Sequence, residues 1–481
     1  MSDNRRILIP LLAWFLMILS LMVEIIGIID SDENTLLLAT CLIWIGLFIK
    51  NLHREKFTML AFCVTFFTFL MGTLVIRCFD PTVELRVSRH ETLVHMYISL
   101  YVALFFVNVG TWLARNVKIS FTKQYWREDE DLRFKATDKI QQASKIVYLL
   151  TSICMLAVSL EKAIYVIIGG DYTSYYVNFT SVFPSIVSKI SEMSTFAFYI
   201  YLGTLPDPKK SKLPFAVYLI TGVLGLLYGQ RNQIVMTVIM LCIYIVLYEN
   251  YEEKPYSILK RKYFVLGLIL IPFALVFLDF IKYSRNSMVF EFAGIWESIK
   301  DLFTSLGGSV NVIGQGYELK DAFPEGHFYS LGGVIDFITK NVLLRPILGT
   351  TIYEGNTIEM ALYGNSYGQT ITYLGWGPAV YLAGRGMGSC FIAEAFHDIG
   401  FLGIVLFSVI YGIVLTKVNK LQKGHWIKNA IILIALYHIL YAPRDSAGSF
   451  ISAFFNYSFI VTILIIYFLS KCLKSRKRTG E

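Results

Sequence analysis

Apolar runs of about 20 residues recur along the 481-residue chain, each long enough to cross the hydrocarbon core of a bilayer as a helix. Lipid offers no partner to a free backbone N–H or C=O group, so segments that cross it here must be helical. Only 16% of the residues are charged, against about 25% in soluble domains. The sequence therefore predicts an all-α polytopic membrane protein.

The apolar runs predict about twelve transmembrane helices, which places both termini on one side. Their ranges are 7–29, 35–50, 57–79, 92–113, 145–168, 185–205, 214–229, 232–249, 263–281, 391–418, 429–443 and 449–470. We expect one integral membrane domain over residues 1–481, with a large loop at 282–390 between predicted helices 9 and 10. A segment of that length in a compact fold usually serves as a lid or a binding segment, and short helices are expected in it.

Basic residues are concentrated at the two termini and in alternate connections, which hold about two thirds of the 43 Lys and Arg residues. Basic residues near span ends stay cytoplasmic, so both termini are predicted inside and the loop 282–390 outside. The net charge of +8 then indicates topology and contact with anionic lipid headgroups, and no nucleic-acid partner is expected.

The seven cysteines are scattered through the chain, mostly within spans, and form no CxxC pair. No cluster of His, Cys, Asp and Glu has the spacing of a metal site. The sequence therefore predicts neither a disulfide framework nor a bound metal, and no cofactor is expected.

Arginines recur at the outer ends of the predicted spans, at Arg231, Arg285, Arg385 and Arg444. A guanidinium group binds phosphate through two parallel hydrogen bonds, so several on one face suit a lipid pyrophosphate. Each arginine also has a simpler interpretation, because it could extend to the headgroups or pair with a nearby acid such as Asp445. Their joint placement on one face favours a binding site.

Glu394, His397 and Asp398 are spaced as i, i+3 and i+4, which places them on one face of a helix near its outer end. Ionisable groups there are unlikely to face lipid, and a Glu–His pair could accept the proton of a hydroxyl. The alternative is a buried polar group that anchors the loop. His327, isolated in the loop, is a weaker candidate for substrate binding.

Two motifs and the topology resemble Wzy-type polysaccharide repeat-unit polymerases. The motifs are Gly-Gln-Arg231-Asn opening a mid-chain span and Phe-Ile-Ala-Glu394-Ala-Phe-His397-Asp-Ile-Gly-Phe-Leu-Gly entering the span that follows the large outer loop. The topology also resembles the O-antigen ligase, which shares a GT-C-like transmembrane architecture. The resemblance covers nearly the whole chain, although the motifs themselves are short.

This resemblance implies a polymerase of the bacterial inner (plasma) membrane that extends O-antigen or capsule. Such an enzyme moves a growing glycan from undecaprenyl pyrophosphate onto a new lipid-linked repeat unit, without a metal. Arg231 matches the family's arginine and Glu394 its acidic residue. Arg285, Arg385, His397 and Arg444 are added from their placement. Membrane lipids, a chain-length regulator and a flippase are the other expected partners.

Three alternatives stay open at this level. A transporter or flippase would suit twelve spans, although the two halves do not look duplicated. A GT-C transferase of single sugars would use acids in the first outer loop, where Asp30, Asp32 and Glu33 lie, and would need a divalent metal. A ligase would pass finished glycans to a lipid core. The glycan profile of a deletion strain separates polymerase loss, which leaves single repeat units, from ligase loss, which leaves long unattached chains.

Overall fold

Helices make up most of the chain in a computed structural model. It describes residues 3–52, 56–87, 89–116, 130–169, 175, 179–252, 294–341, 344–419, 421–422 and 424–473. The first helices are α1 (Asp3–Asp30), α2 (Glu33–Asn51), α3 (Phe57–Phe66), α4 (Gly72–Phe79), α5 (His90–Asn116), α6 (Glu130–Gly169), α7 (Ser185–Gly203), α8 (Lys212–Leu227) and α9 (Arg231–Tyr251). The others are α10 (Ile295–Leu306), α11 (Val310–Glu318), α12 (Gly332–Thr339), α13 (Arg345–Leu348), α14 (Ile358–Tyr363), α15 (Tyr367–Trp376), α16 (Pro378–Leu382), α17 (Phe391–Ile399), α18 (Phe401–Lys417), α19 (Trp426–Tyr441), α20 (Ser449–Ser452) and α21 (Tyr457–Cys472).

Eight segments in the described ranges are long and apolar enough to cross a membrane. They are Leu8–Asp30, Glu33–Asn51, Phe57–Phe79, His90–Arg115, Ala136–Ile168, Arg231–Tyr251, Trp426–Arg444 and Ser449–Cys472. The shorter apolar helices α8 and α18 fall in the predicted spans 214–229 and 391–418. The predicted span 263–281 lies outside the described residues. The all-α polytopic membrane class is therefore confirmed, while the count of about twelve stays a prediction.

The helices divide into two compact units. The first comprises Met1–Lys118, Ile299–Asn419 and His438–Ser452, and the second comprises Ile119–Ser298, Lys420–Tyr437 and Ala453–Glu481. Most of the predicted loop 282–390 therefore belongs to the first unit. The boundaries of a single membrane domain and of the outer loop stay predictions.

Helices α5 and α18 pack backbone against backbone within the first unit. A Cβ atom at Gly110 would collide with the carbonyl oxygen of Val409, and one at Gly412 with that of Val107. Small residues permit such approach, which helices in lipid use because apolar burial does not drive their association there. Thr58 on α3 donates a hydrogen bond to the Leu415 carbonyl at 2.7 Å and holds a third helix against this pair.

The long segment folds into short helices, as expected, and packs on the ends of the spans of the first unit. Phe67 begins a π-helical turn, Phe67–Met71, between α3 and α4, and its ring lies 5.5 Å from that of Phe303 on α10. Thr73 donates to the Phe303 carbonyl at 3.0 Å. Asn311 on α11 accepts a hydrogen bond from the Arg86 backbone N–H at 2.8 Å. The segment from α10 onward therefore has a fixed position on α4 and the loop after it.

The predicted span 391–418 is interrupted at Gly400, which is a correction. Gly400 has φ 65° and ψ −152°, a conformation open to glycine, and it separates the nine-residue α17 from α18. A Cβ atom at Gly403 would collide with the Ala395 carbonyl, so α17 folds back against the start of α18. Glu394 and His397 therefore lie on a short helix that is separate from the apolar helix α18.

The second unit contains α6, α7, α8, α9 and α21. Ser458 on α21 donates to the Glu192 carboxylate on α7 at 2.9 Å, and Asn429 donates to the Gly203 carbonyl at 2.9 Å. Helices α8 and α9 form a tight hairpin, in agreement with the short gap between the predicted spans 214–229 and 232–249. The Gln230 N–H donates to the Gly225 carbonyl at 2.8 Å. These bonds satisfy polar groups that lipid would leave without partners.

Candidate functional site

Glu394 lies in the first turn of α17, and its side chain is almost fully buried, with 2% of the residue exposed. One carboxylate oxygen accepts a hydrogen bond from the Ser389 hydroxyl at 2.5 Å. The other accepts from the Ser446 hydroxyl at 2.7 Å and from the Ala447 N–H at 2.8 Å. The carboxylate therefore links the segment that precedes α17 to the turn that follows Arg444.

Burial raises the pKa of Glu394 to about 8 because a charge is poorly solvated there. The three hydrogen bonds act in the opposite direction, while the nearby charge of Asp445 adds to the increase. A large part of the population therefore carries a proton at neutral pH. Since the oxygens already have three donors, the group is better suited to hold two segments together than to meet a substrate.

Arg444 closes the 3₁₀ turn Ala442–Arg444, where Pro443 ends α19. Its Nη1 donates to the Leu306 carbonyl at 2.7 Å, and the side chain is half-buried. Among the described residues no carboxylate pairs with it. The Asp445 carboxylate lies instead 3.9 Å from His438 Nδ1. The simpler interpretation, in which Asp445 neutralises Arg444, therefore does not describe this turn. The guanidinium keeps donors for a further acceptor.

Arg385 is exposed on the loop between α16 and α17, between Gly384 and Gly388, whose φ angles are 73° and 77°. The Met387 N–H donates to the Thr372 hydroxyl at 3.0 Å and ties this loop to α15. The positive φ angles, which favour glycine, let the loop turn twice within five residues. Four residues after Arg385 the chain reaches Ser389, the first donor to Glu394.

His397 lies half-buried in a pocket of aromatic rings. Its ring centroid is 4.4 Å from that of Phe323, 5.1 Å from Tyr329 and 5.9 Å from Tyr367. Burial lowers the pKa of the imidazole, and the nearby His327 lowers it further, while Asp398 acts in the opposite direction. The ring is therefore neutral at pH 7 and able to accept a proton.

The three ionisable groups of α17 bind different partners, in contrast to the predicted Glu–His pair. Within the described ranges Glu394 and His397 share no hydrogen bond. Asp398 accepts from the Tyr329 N–H at 3.0 Å, the Ser330 N–H at 2.8 Å and the Ser330 hydroxyl. Asp398 thus fixes the 3₁₀ turn Tyr329–Leu331, which forms one wall of the His397 pocket.

His327 is placed beside this pocket by the same turn. Its ring stacks on Tyr329 with centroids 5.6 Å apart, and its Nδ1 lies 3.3 Å from Asn365 Oδ1. Asn365 in turn donates to the Asp336 carboxylate at 2.7 Å. The structure therefore brings His327 close to His397, which are 70 positions apart in the sequence.

Arg86 and Trp376 form a contact that the sequence analysis did not predict. The Arg86 guanidinium lies 4.2 Å from the centroid of the Trp376 ring, in cation–π geometry. Gln315 on α11 donates to the Arg86 carbonyl at 3.3 Å and holds that residue in place. The signal in the sequence was the Trp376-Gly-Pro turn within the long loop, where a large ring has no apolar periodicity to explain it.

Arg231 belongs to the second unit, where it is the first residue of α9 and only 8% exposed. The hairpin before it includes Tyr228, whose hydroxyl donates to Gln233 at 3.2 Å and whose ring lies 5.7 Å from Lys162 Nζ. Arg231 is therefore a buried cation at a helix start, and its role in substrate binding stays a prediction. Arg285 lies outside the described residues.

Neither a metal cluster nor a disulfide is found in the part of the chain that the structure describes. No three His, Cys, Asp or Glu side chains there are grouped so that they could hold a metal ion. All seven cysteines are free.

The comparisons with known proteins give one match. The model of the family described as O-antigen polysaccharide polymerase Wzy matches residues 12–477, nearly the whole chain. No curated protein and no solved structure matches the sequence. Nothing in these comparisons favours a transporter, a single-sugar transferase or a ligase. The chain therefore belongs to the O-antigen polysaccharide polymerase Wzy family and is a multi-pass membrane protein that polymerises O-antigen repeat units from lipid-linked oligosaccharides.

Proposed function

We propose that the first unit holds the catalytic site and that Arg444 and Arg385 bind the pyrophosphate of an undecaprenyl carrier. The observation that carries this proposal is the Glu394 carboxylate, which accepts bonds from both Ser389 and Ser446 and so fixes the two arginine-bearing segments to one buried group. Guanidinium groups suit a diphosphate because each can donate two parallel hydrogen bonds.

The reaction transfers a growing glycan from its carrier to a new repeat unit. A hydroxyl of the acceptor sugar attacks the anomeric carbon of the donor, the carbon–oxygen bond to pyrophosphate breaks, and a glycosidic bond forms. Undecaprenyl pyrophosphate leaves with the extra negative charge, which the arginines stabilise as it develops.

His397 is the proposed general base for the acceptor hydroxyl. Its ring is half-buried and neutral, and within the described ranges no hydrogen bond occupies its nitrogens. The buried rings of Tyr329 and Tyr367 pack around the imidazole and hold it in place. Glu394, the other candidate, acts in this proposal as a positioning group, and His327 and Arg86 contact the sugars.

Arg231 and Arg285 are proposed as substrate-binding residues, from their placement at predicted outer span ends. The membrane is proposed to be the bacterial inner membrane, with both termini cytoplasmic, residues 282–390 outside and a GT-C-like architecture. A chain-length regulator and a flippase are the proposed protein partners. The surface glycan of the source strain decides whether the polymer is O-antigen alone or also a capsule.

The arginines replace a metal ion as the source of positive charge in this proposal. Polymerisation by the purified protein is therefore expected to continue at an unchanged rate when a chelator removes divalent cations. Loss of activity on chelation, with recovery on adding Mg²⁺ or Mn²⁺, would contradict this.

The experiment that tests the proposal is complementation of a deletion strain, read out as the length profile of its surface glycan. Arg444→Ala and Arg385→Ala should each leave single or very short repeat units at normal expression. The matched control is Arg345→Ala, an exposed arginine of α13 in the same long segment that has no bond to the Glu394 network. Full-length polymer from both Arg444→Ala and Arg385→Ala would refute the assignment.

A further inference from the structure

A cavity of about 230 Å³ lies at one end of four helices of the first unit. It is formed by the start of α1, the end of α2, the start of α3 and the end of α5. Its lining is Ile9, Pro10, Trp14, Lys50, Lys56, Trp112 and Arg115. Three of these seven side chains are cations, which is unusual for a cavity between apolar helices.

The three cations are held where their charges act on one another. Lys50 Nζ donates to Asn108 Oδ1 at 2.6 Å and lies 4.9 Å from the centroid of the Trp14 ring. Lys56 Nζ donates to the Lys50 carbonyl at 3.0 Å. The charges of Arg115 and Lys56 are both near enough to act on that of Lys50.

A simpler explanation covers only part of this arrangement. Lys50 and Arg115 lie in the last turns of α2 and α5, where a cation interacts favourably with the carbonyl end of a helix. A cation would interact with the carbonyl end of its helix in this way whichever side of the helix its side chain occupied. It does not explain why both converge, with Lys56, on the same cavity, where like charges repel one another.

The tryptophans indicate the depth of this cavity in the membrane. Trp14 and Trp112 both line the cavity and are about half-exposed, at 50% and 57%. Tryptophan is enriched at the level of the lipid headgroups, because its ring is apolar and its N–H is polar. The bias of basic residues assigns this end of the helices to the cytoplasmic side.

We propose that this cavity binds the phosphate of an anionic phospholipid from the cytoplasmic leaflet. Basic pockets between membrane helices on that side suit anionic headgroups. The volume corresponds to roughly eight water molecules at about 30 Å³ each, enough for a phosphodiester and a small headgroup. The acyl chains would continue along the exposed apolar face of α1, which includes Leu11 and Phe15.

The test uses the full-length protein purified in a non-ionic detergent, with retained lipid measured by native mass spectrometry. Phosphatidylglycerol should be retained at least tenfold better than phosphatidylcholine. The double variant Lys50→Gln, Arg115→Gln should lose about tenfold or more of that retention. Inorganic phosphate at millimolar concentration should not displace the lipid.

Two controls separate this from general effects of charge and folding. Arg115→Lys keeps the charge and should keep the lipid. Lys210→Gln removes a cation that is exposed outside the cavity and should change nothing. Equal retention by the double variant and the unaltered protein would overturn the proposal. Displacement by inorganic phosphate would also overturn it, because the cavity would then be a site for free anions.

Discussion

At the scale of single residues, Glu394 sets the geometry of the candidate site. Its two oxygens accept three hydrogen bonds from residues on both sides of it in the sequence. If a buried carboxyl group loses its hydrogen-bond donors, the folded state loses free energy comparable to that of several exposed contacts. The same holds for buried donors that lose the carboxyl group. The positions of the Arg385 loop and of Arg444 therefore depend on one side chain that does not itself need to touch substrate.

The first prediction compares Glu394→Ala with Glu394→Gln. The alanine variant leaves the Ser389 and Ser446 hydroxyls and the Ala447 N–H without their buried acceptor and should lose about 2–5 kcal/mol of unfolding free energy. The glutamine variant keeps the shape and one carbonyl acceptor and should lose about 1 kcal/mol. Thermal unfolding in detergent measures both. If both variants lose the same unfolding free energy, the hydrogen bonds of the carboxylate do not contribute to stability.

The same residue predicts how stability changes with pH. The folded-state pKa of Glu394, about 8, lies above the ordinary value of 4.5, so the folded protein binds this proton more tightly than the unfolded chain. The resulting stabilisation is complete below pH 4.5 and is lost as the pH rises through about 8. The Tm of the unaltered protein, relative to Glu394→Gln, should therefore fall between about pH 4.5 and pH 8 and level off above that range. If the difference in Tm between the unaltered protein and Glu394→Gln does not change with pH, Glu394 stays charged in the folded protein.

His397 predicts the acid side of the pH–rate profile. Burial lowers its pKa below the ordinary value of 6.5, so the imidazole should stay neutral through pH 7 and polymerisation should fall only at lower pH. His397→Gln should reduce the rate by about 10²–10⁴ and remove this acid limb. His90→Gln, at an exposed histidine beside Glu33, is the control and should keep it. An acid limb that survives in His397→Gln would exclude His397 as the base.

The sequence located these residues but not their partners. Glu394, His397 and Arg444 are conspicuous because ionisable groups are rare among apolar runs. Ser389, Ser446 and Tyr329 are not, since hydroxyl groups occur throughout such chains. The spacing i, i+3 predicts that Glu394 and His397 share one helical face. Their side chains nevertheless contact different groups, because the loops packed on α17 determine which groups lie within reach.

At the scale of elements, the turn at Gly400 separates the site helix from the span. The hydropathy of residues 391–418 is nearly continuous, so the sequence predicts one helix there. Periodicity does not reveal the break, because membrane helices tolerate isolated glycines. The structure uses Gly400 for a backbone conformation that needs glycine, and Gly403 for the close approach of the Ala395 carbonyl.

Gly403→Ala tests this packing. Its Cβ atom would collide with a backbone carbonyl, which has no rotamer to move to, so α17 must shift away from α18. We expect a loss of about 1–3 kcal/mol in stability and a larger loss of polymer length, because the shift moves both Glu394 and His397. Gly355→Ala, where a Cβ atom meets open space, is the matched control. Normal chain length from Gly403→Ala would show that the position of α17 is not critical.

At the scale of the whole molecule, the apolar runs were sufficient to predict the class. Most predicted spans correspond to observed helices, because an uninterrupted apolar run of that length has few other options in a membrane. The packing of the long segment on the first unit was not predictable, since contacts such as Arg86 with Trp376 join residues far apart in the sequence. The division into two units likewise depends on which helices pack together, which hydropathy does not encode.

The most direct measurement of the central claim is the affinity of the purified protein for undecaprenyl pyrophosphate, compared with undecaprenyl phosphate. Because the arginines should recognise the diphosphate, the unaltered protein is expected to prefer the pyrophosphate by about tenfold or more. The double variant Arg385→Ala, Arg444→Ala should lose that preference, while Arg345→Ala should keep it. A double variant that binds undecaprenyl pyrophosphate as tightly and as selectively as the unaltered protein would contradict the account.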